Sequence, residues 1–406
     1  MDQLILARAF AGIGGGGIPT LGTIIVSDVV PLRSRGTWQA FMNIIFSTGS
    51  MTGAPLGGLL ADTIGWRWAF LIQVPIVIVA FISVSVALRL PEKETSDFKS
   101  KIKRVDFSGA VALIIFVFFF LYGIERGGNI SWNDHYTIGS LVISGVSFAV
   151  FAFIEMEWAK EPFAPKRIIA NPSLIASYLL NFFGIAGQMS ITFQVSLYCQ
   201  AVRAFSASQA GLAILPIILG GVLGSIVGGL VIQTTGKYYF ITALGSLLQV
   251  LGFLAITLDS GVVVASMLGI SAGLFVSGFG NGIGITTSLV ALISNAGKED
   301  QAISTAVSYL FRSLGAVVGI SVGATILQDT LRNILRHRLT GHDVNEVVRK
   351  VRESLKYLDQ LDSDTRTIVK ASYESSIHIT MWYSLGLAIC AFGCSLFIKE
   401  KALSRT

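Results

Sequence analysis

Residues 4–26 read LILARAFAGIGGGGIPTLGTIIV, residues 27–37 read SDVVPLRSRGT, and residues 38–70 read WQAFMNIIFSTGSMTGAPLGGLLADTIGWRWAF. Two apolar, glycine-rich runs flank a short basic turn. Each run is about 22 residues long, which at about 1.5 Å of rise per residue spans a hydrocarbon core of about 30 Å. The stretch therefore predicts two membrane helices joined by a hairpin. In the second run Gly49, Gly53 and Gly57 recur every four residues, with Pro55 and Gly58 among them. That spacing leaves one helix face as bare backbone open to close approach by a neighbour. Pro55 removes one backbone hydrogen bond and favours a kink.

The rest of the chain repeats the pattern. Hydrophobic residues make up 52% of the 406, charged residues 13%, and the mean hydropathy is +0.69. These values exclude a soluble globular domain and predict an all-α membrane protein embedded in the lipid bilayer. Apolar runs fall at 4–26, 38–61, 68–90, 107–123, 136–154, 173–197, 209–232, 238–257, 262–289, 301–327 and 379–398, about 11 transmembrane helices in all. The formal net charge of +6 does not point to nucleic acid, because lysine and arginine collect in the loops between the runs. Placing the loop after the first span in the cytosol puts sixteen lysines and arginines there, including Arg33, Arg35 and those of residues 93–104. The short loops on the other side then hold only Arg67, Arg126 and Arg203. The asymmetry predicts a lumenal or external N-terminus and a cytosolic C-terminus.

No Cys/His metal cluster, nucleophile elbow or phosphate-binding loop ending in Lys-Ser/Thr is present in the sequence. The run Gly14 to Gly17 lies inside an apolar helix and reads as packing. Cys199, Cys390 and Cys394 sit in or beside apolar runs and read the same way. The chain is therefore expected to be no enzyme, to use no cofactor or metal, and to draw on an ion gradient rather than ATP.

Three motifs, in order, carry a resemblance. Gly49-x-x-x-Gly53-Ala-Pro55-x-Gly57-Gly58 resembles the antiporter motif of the major facilitator superfamily. Leu4-x-x-x-Arg8-x-x-x-Gly12-x-Gly14 resembles the superfamily's fourth-span motif, whose membrane-embedded arginine is associated with proton coupling. Ser27-Asp28-x-x-Pro31-x-x-x-Arg35-Gly36 looks like the cytoplasmic turn between spans four and five. The wording of residues 35–39 and 65–68 is similar to the fourteen-span drug:proton antiporter branch, and within it to fungal vacuolar basic amino acid transporters. The resemblance implies a major facilitator fold lacking its first three spans. Residues 1–90 would be a partial N-terminal half, 91–106 the cytoplasmic connection, 107–154 two linker spans and 173–398 a six-span C-terminal half. It further implies a small-molecule substrate, protons as the coupling partner, and a vacuolar membrane location. A plasma-membrane multidrug exporter is the alternative, and a truncated relative that no longer transports is another. The spacing of Gly58-x-x-x-Asp62-x-x-Gly65 recurs as Gly229-x-x-x-Gln233-x-x-Gly236, as an internally repeated transporter would show.

Candidate proton-coupling and motif residues are thus Arg8, Gly12, Asp28, Arg35, Gly36, Gly49, Gly53, Pro55, Gly57 and Gly58. Candidates for the substrate cavity are polar residues well inside their spans: Asn181, Gln188, Asn281 and Arg312. Gln39, Asn43, Gln73, Gln194 and Gln249 are further uncharged polar candidates, and each uncharged candidate taken singly reads as an interhelical hydrogen-bond former before a ligand contact. In the long segment 328–377, Val344, Val347, Val348, Val351, Leu355 and Leu358 recur at helical spacing opposite charged residues. They predict an amphipathic helix within a non-cytosolic loop, lying on the membrane or on the bundle.

Overall fold

A computed structural model describes residues 2–29, 35–87, 106–158, 168, 171–262, 265–296, 300–339, 344–353 and 355–401. The predicted connection 91–106 and the turn 30–34 lie outside these, apart from Asp106. Each of the eleven apolar runs is helical over most of its described residues. The elements are α1 (Asp2–Val29), α2 (Arg35–Thr63), α3 (Trp68–Ala87, interrupted at Ile72), α4 (Phe107–Asn129), α5 (His135–Trp158) and α6 (Pro172–Ala201). They continue as α7 (Ala207–Thr235, interrupted at Ile214), α8 (Tyr239–Asp259), α9 (Met267–Ala296), α10 (Gln301–Arg338), α11 (Val344–Glu353) and α12 (Ser363–Ser395). Nine of the described helices meet the length and hydropathy of a membrane span, and α1 and α2 are 28 and 29 residues long. In lipid only structures that satisfy their own backbone are tolerated, and long continuous helices do so. Side chains close the ends. Asp106 accepts from the Gly109 N–H at 2.9 Å, and Ser206 with Gln209 forms a reciprocal capping box at the start of α7.

The core of the molecule is the bundle α6–α10 with α12. Small residues set its spacing, since between lipid-soluble helices close backbone approach supplies the packing energy. Gly220 and Gly224 on α7 lie against the backbone of Phe275 and Phe279 on α9, leaving no room for a Cβ. On its other side α9 presents Gly280 to the backbone of α8, where a Cβ would lie 2.6 Å from the Gln249 nitrogen. Gly315 and Gly319 of α10 are pressed in the same way onto Phe182 and Ala186 of α6. The buried serines and threonines behave as small residues here. Thr242, Thr257, Ser376 and Thr380 each donate to a carbonyl one turn back in their own helix, so no hydroxyl is left unsatisfied among these four.

The α4–α5 hairpin docks on α10. Gly128 faces Thr325, and Arg332 Nη1 donates to the Ile130 carbonyl at 2.8 Å. Arg126 and Asp134 clasp the hairpin turn at 2.7 Å. Helices α1 to α3 are far less covered, and the α3 segment Gln73–Ala87 has no buried residue. The internal echo has a structural counterpart. Gly65 (φ +101°) and Gly236 (φ +69°) both occupy the left-handed region just beyond the ends of α2 and α7, where glycine is the residue without steric cost.

The segment predicted as a long loop, 328–377, is mostly helix, so that boundary is corrected. α10 continues to Arg338 and α12 begins at Ser363. Hydropathy marks only the lipid-facing length of a helix, and these two extend past it with polar ends such as Asp329, Arg332 and Arg366. The amphipathic helix exists as α11, and it lies on the bundle. Val348, Val351 and Leu358 are buried beside Leu331, Leu335 and Tyr373, and Tyr373 Oη donates to the Val351 carbonyl at 2.8 Å. The side chains of Val344, Val347 and Leu355 lie outside the described residues.

Candidate functional site

Two constellations stand out: a polar cluster halfway along the C-terminal bundle, and the contact that ties α2 to that bundle.

The cluster begins with Asn181 on α6. Its Nδ2 donates to the Ser177 carbonyl (2.9 Å) and to Ser308 Oγ on α10 (3.4 Å). Its Oδ1 accepts from Ser288 Oγ on α9 (3.2 Å) and from Arg312 Nε on α10 (3.0 Å). An amide has two donors and two acceptor lone pairs, so Asn181 is fully engaged. Arg312 also donates through Nη2 to the Ile285 carbonyl of α9 at 3.2 Å, and its guanidinium carbon lies 5.5 Å from the Tyr309 ring centroid. Counted from Ile303, Arg312 is about 14 Å into its span. It is half-buried and has no carboxylate partner among the described residues.

Gln188, one helix turn beyond Gly184, accepts at 3.3 Å from Gln249 Nε2 of α8, which also donates to the Gly184 carbonyl at 2.9 Å. The Oδ1 of Asn281 would lie 3.9 Å from a Cβ at Gly184, and no hydrogen bond of its side chain occurs among the described residues. Asn181, Gly184, Gln249, Gly280, Asn281 and Ile285 surround a cavity of about 10 Å³, at the lower limit for a single water. The four expected polar residues therefore come together, with Asn181 and Gln188 buried at 4% and 5% exposure. Gln249 bonds from α8 to α6, as an uncharged polar residue inside a span is expected to do, whereas sequence reading misses Ser288 and Ser308, because hydroxyls in apolar runs carry no signal of their own. A second polar knot, Gln194 with Ser190 and Ser384 (2.8 and 3.1 Å), fastens α6 to α12.

The motif residues distribute differently. Arg8 is exposed, with its guanidinium carbon 5.5 Å from the Phe70 ring centroid. A Cβ at Gly12, Gly49, Gly53 or Gly57 would meet nothing within 4 Å among the described residues. Pro55 is half-buried within a continuous α2. Arg35 and Gly36 begin α2 and Asp28 lies in α1, but the side-chain environments of all three are outside the described residues. Gly58 is the motif glycine in tight contact. A Cβ there would lie 2.6 Å from the Ala207 oxygen and 2.7 Å from the Ser208 Cα, at the start of α7. One turn on, Asp62 Oδ2 accepts from the Ser208 N–H at 2.9 Å. The carboxylate satisfies an orphan amide at the positive end of a helix dipole. Among the described residues no group of three or more His, Cys, Asp or Glu is arranged to hold a metal ion.

A multi-span bundle with polar groups held at mid-depth and a second helical unit joined through glycine contacts is the architecture of a membrane transporter. A family model described as Major Facilitator Superfamily matches residues 1–320, and the chain belongs to that superfamily. It is 36% identical over 410 residues to the vacuolar membrane amino acid uptake transporter fnx2 of Schizosaccharomyces pombe, covering 99% of this chain and 69% of that protein. It is 34% identical to the multidrug resistance protein fnx1 of the same yeast (98% and 76% covered). Identity to the vacuolar basic amino acid transporter 2 of Saccharomyces cerevisiae is 29% (96% and 85%). Among solved structures, a bacterial homologue of the human lysosomal transporter Spinster shares the fold, with a TM-score of 0.56 at 11% identity over 93% of this chain and 72% of that one.

Proposed function

We propose that the protein moves basic amino acids across the vacuolar membrane into the vacuole, driven by the exchange of protons. The observation that carries this reading is similarity along nearly the whole chain to fnx2 and to vacuolar basic amino acid transporter 2. The polar groups at mid-depth, mostly neutral amides and hydroxyls with one cation, suit a polar organic solute. Among the described residues they include no carboxylate for a cationic side chain, so the basic character of the solute rests on the similarity alone. Transport proceeds by rocking of the α1–α3 unit against the bundle. On the topology drawn from loop charges, the Gly58/Asp62 contact with α7 closes the lumenal side, so the conformation is the one that loads from the cytosol. Arg8, in the first span, serves proton coupling.

Export of drugs at the plasma membrane is the rival, and similarity to fnx1 favours it. Imaging of a tagged protein together with the lysine and arginine content of purified vacuoles separates the two. Vacuolar localisation with depleted vacuolar lysine and arginine after gene deletion supports import. A plasma-membrane signal with unchanged pools contradicts it.

A further inference from the structure

We propose that Arg312 is the receptor for the carboxylate of the transported solute, with Asn181 as the residue that positions it. The inference rests on the transporter reading above and adds the group that is recognised.

The argument is one of donors left over. A guanidinium has five N–H donors in a planar fork. Two are used: Nε on the Asn181 oxygen at 3.0 Å and Nη2 on the Ile285 carbonyl at 3.2 Å, both neutral acceptors. Nη1 has no acceptor among the described residues, and it is not sealed from the surface, because the side chain is half-buried. A cation held at mid-span without a counter-charge is costly. A carboxylate placed against the free edge relieves that cost through two parallel charge-assisted bonds, a geometry that guanidinium matches and ammonium does not.

The remaining contacts fix the fork. Asn181 spends both lone pairs and both N–H groups within the protein, so it has nothing to offer a ligand and acts only by holding Nε. Helices α6, α9 and α10 each supply one member of the frame. α10 is also a helix that α1 approaches, so the free edge belongs to an element bordering both units. A lock between three helices would need the same two bonds, and it would be insensitive to whether the solute carries a carboxylate.

Titration calorimetry on the protein in lipid nanodiscs, with ligand pairs differing only in the carboxylate, separates these. The pairs are lysine and cadaverine, and leucine and leucinamide. The expected result is binding of lysine roughly tenfold or more tighter than cadaverine. Arg312→Met should collapse that ratio to near one by weakening lysine, and Arg312→Lys should restore part of it. Cadaverine binding as tight as lysine in the unaltered protein, or a ratio that persists in Arg312→Met, overturns the proposal, as does binding of no ligand in either pair. If Arg312→Met does not fold, the ratio in the unaltered protein and in Arg312→Lys decides. A carboxylate preference confined to leucine retires the basic amino acid reading and keeps the receptor.

Discussion

Gly58→Ala should displace the balance between transporter conformations, because the methyl group has nowhere to go in the conformation described. Its Cβ would sit 2.6 Å from the Ala207 oxygen, 2.7 Å from the Ser208 Cα and 2.8 Å from the Ala207 carbonyl carbon. All three are backbone atoms at the start of α7, so no side-chain rotation relieves the overlap and α2 must back away. Forcing a methyl group into a filled contact costs about 1–3 kcal/mol. Once α2 and α7 have separated the cost disappears, so it weighs on one conformation alone. The closed-to-open ratio therefore falls roughly 5-fold to 150-fold. Spin labels at cysteines replacing Ile64 and Leu212, at 58% and 51% exposure, report the separation of these elements by electron–electron resonance. Gly53→Ala is the matched control, since its Cβ meets nothing within 4 Å among the described residues, and it should leave the distance distribution unchanged in this conformation. An unchanged distribution in a folded Gly58→Ala protein would refute the reasoning, as would an equal shift in Gly53→Ala.

Gly280→Ala, whose Cβ would overlap the backbone of α8, should lower the thermal midpoint in detergent by an amount equivalent to about 1–3 kcal/mol. Gly386→Ala, with nothing within 4 Å, should not, and equal midpoints for the two would contradict the packing account. The Asp134 carboxyl at the α4–α5 turn is held below its ordinary range chiefly by the hydrogen bond from Arg126. A lowered folded-state value means that its stabilisation is complete above the unfolded pKa and fades as pH falls through the folded one. The protection of amides at this turn, taken relative to the intrinsic exchange rate at each pH, should therefore stay constant from neutral pH down to about pH 4 and fall only below it. A loss of protection between pH 7 and 5 would count against the clasp. Epitopes at the two ends should show opposite protease sensitivity in sealed vesicles, with the N-terminal one on the non-cytosolic side. Equal sensitivity would mean that a span has been misassigned.

The helices were legible because each apolar run is long enough to cross lipid and none alternates with the period of a strand. Their polar extensions were not, which is why 328–377 read as a loop: Asp329, Arg332 and Arg336 lower the hydropathy of α10 without ending the helix. Sequence spacing marked a glycine face on α2 but not which glycine is in contact. The partner of Gly58 and Asp62 is fixed by chain folding 146 residues further on. The cluster of Asn181, Gln188, Asn281 and Arg312 was visible as polar residues inside spans, one at a time. Their convergence depends on α6, α9 and α10 being neighbours, which pairwise glycine contacts such as Gly315 against Phe182 determine and no local pattern encodes. Arg312 shows the difference most clearly. Its depth was readable, whereas the two neutral acceptors and the free Nη1 edge exist only in the folded bundle.

The most direct test of the account is uptake of radiolabelled lysine by sealed vacuolar vesicles from a yeast expressing the protein, energised with ATP to acidify the lumen. Accumulation above vesicles lacking the protein, abolished by a protonophore and competed by arginine, is the result predicted. Accumulation identical with and without the protein, or undiminished when the proton gradient is collapsed, would contradict it.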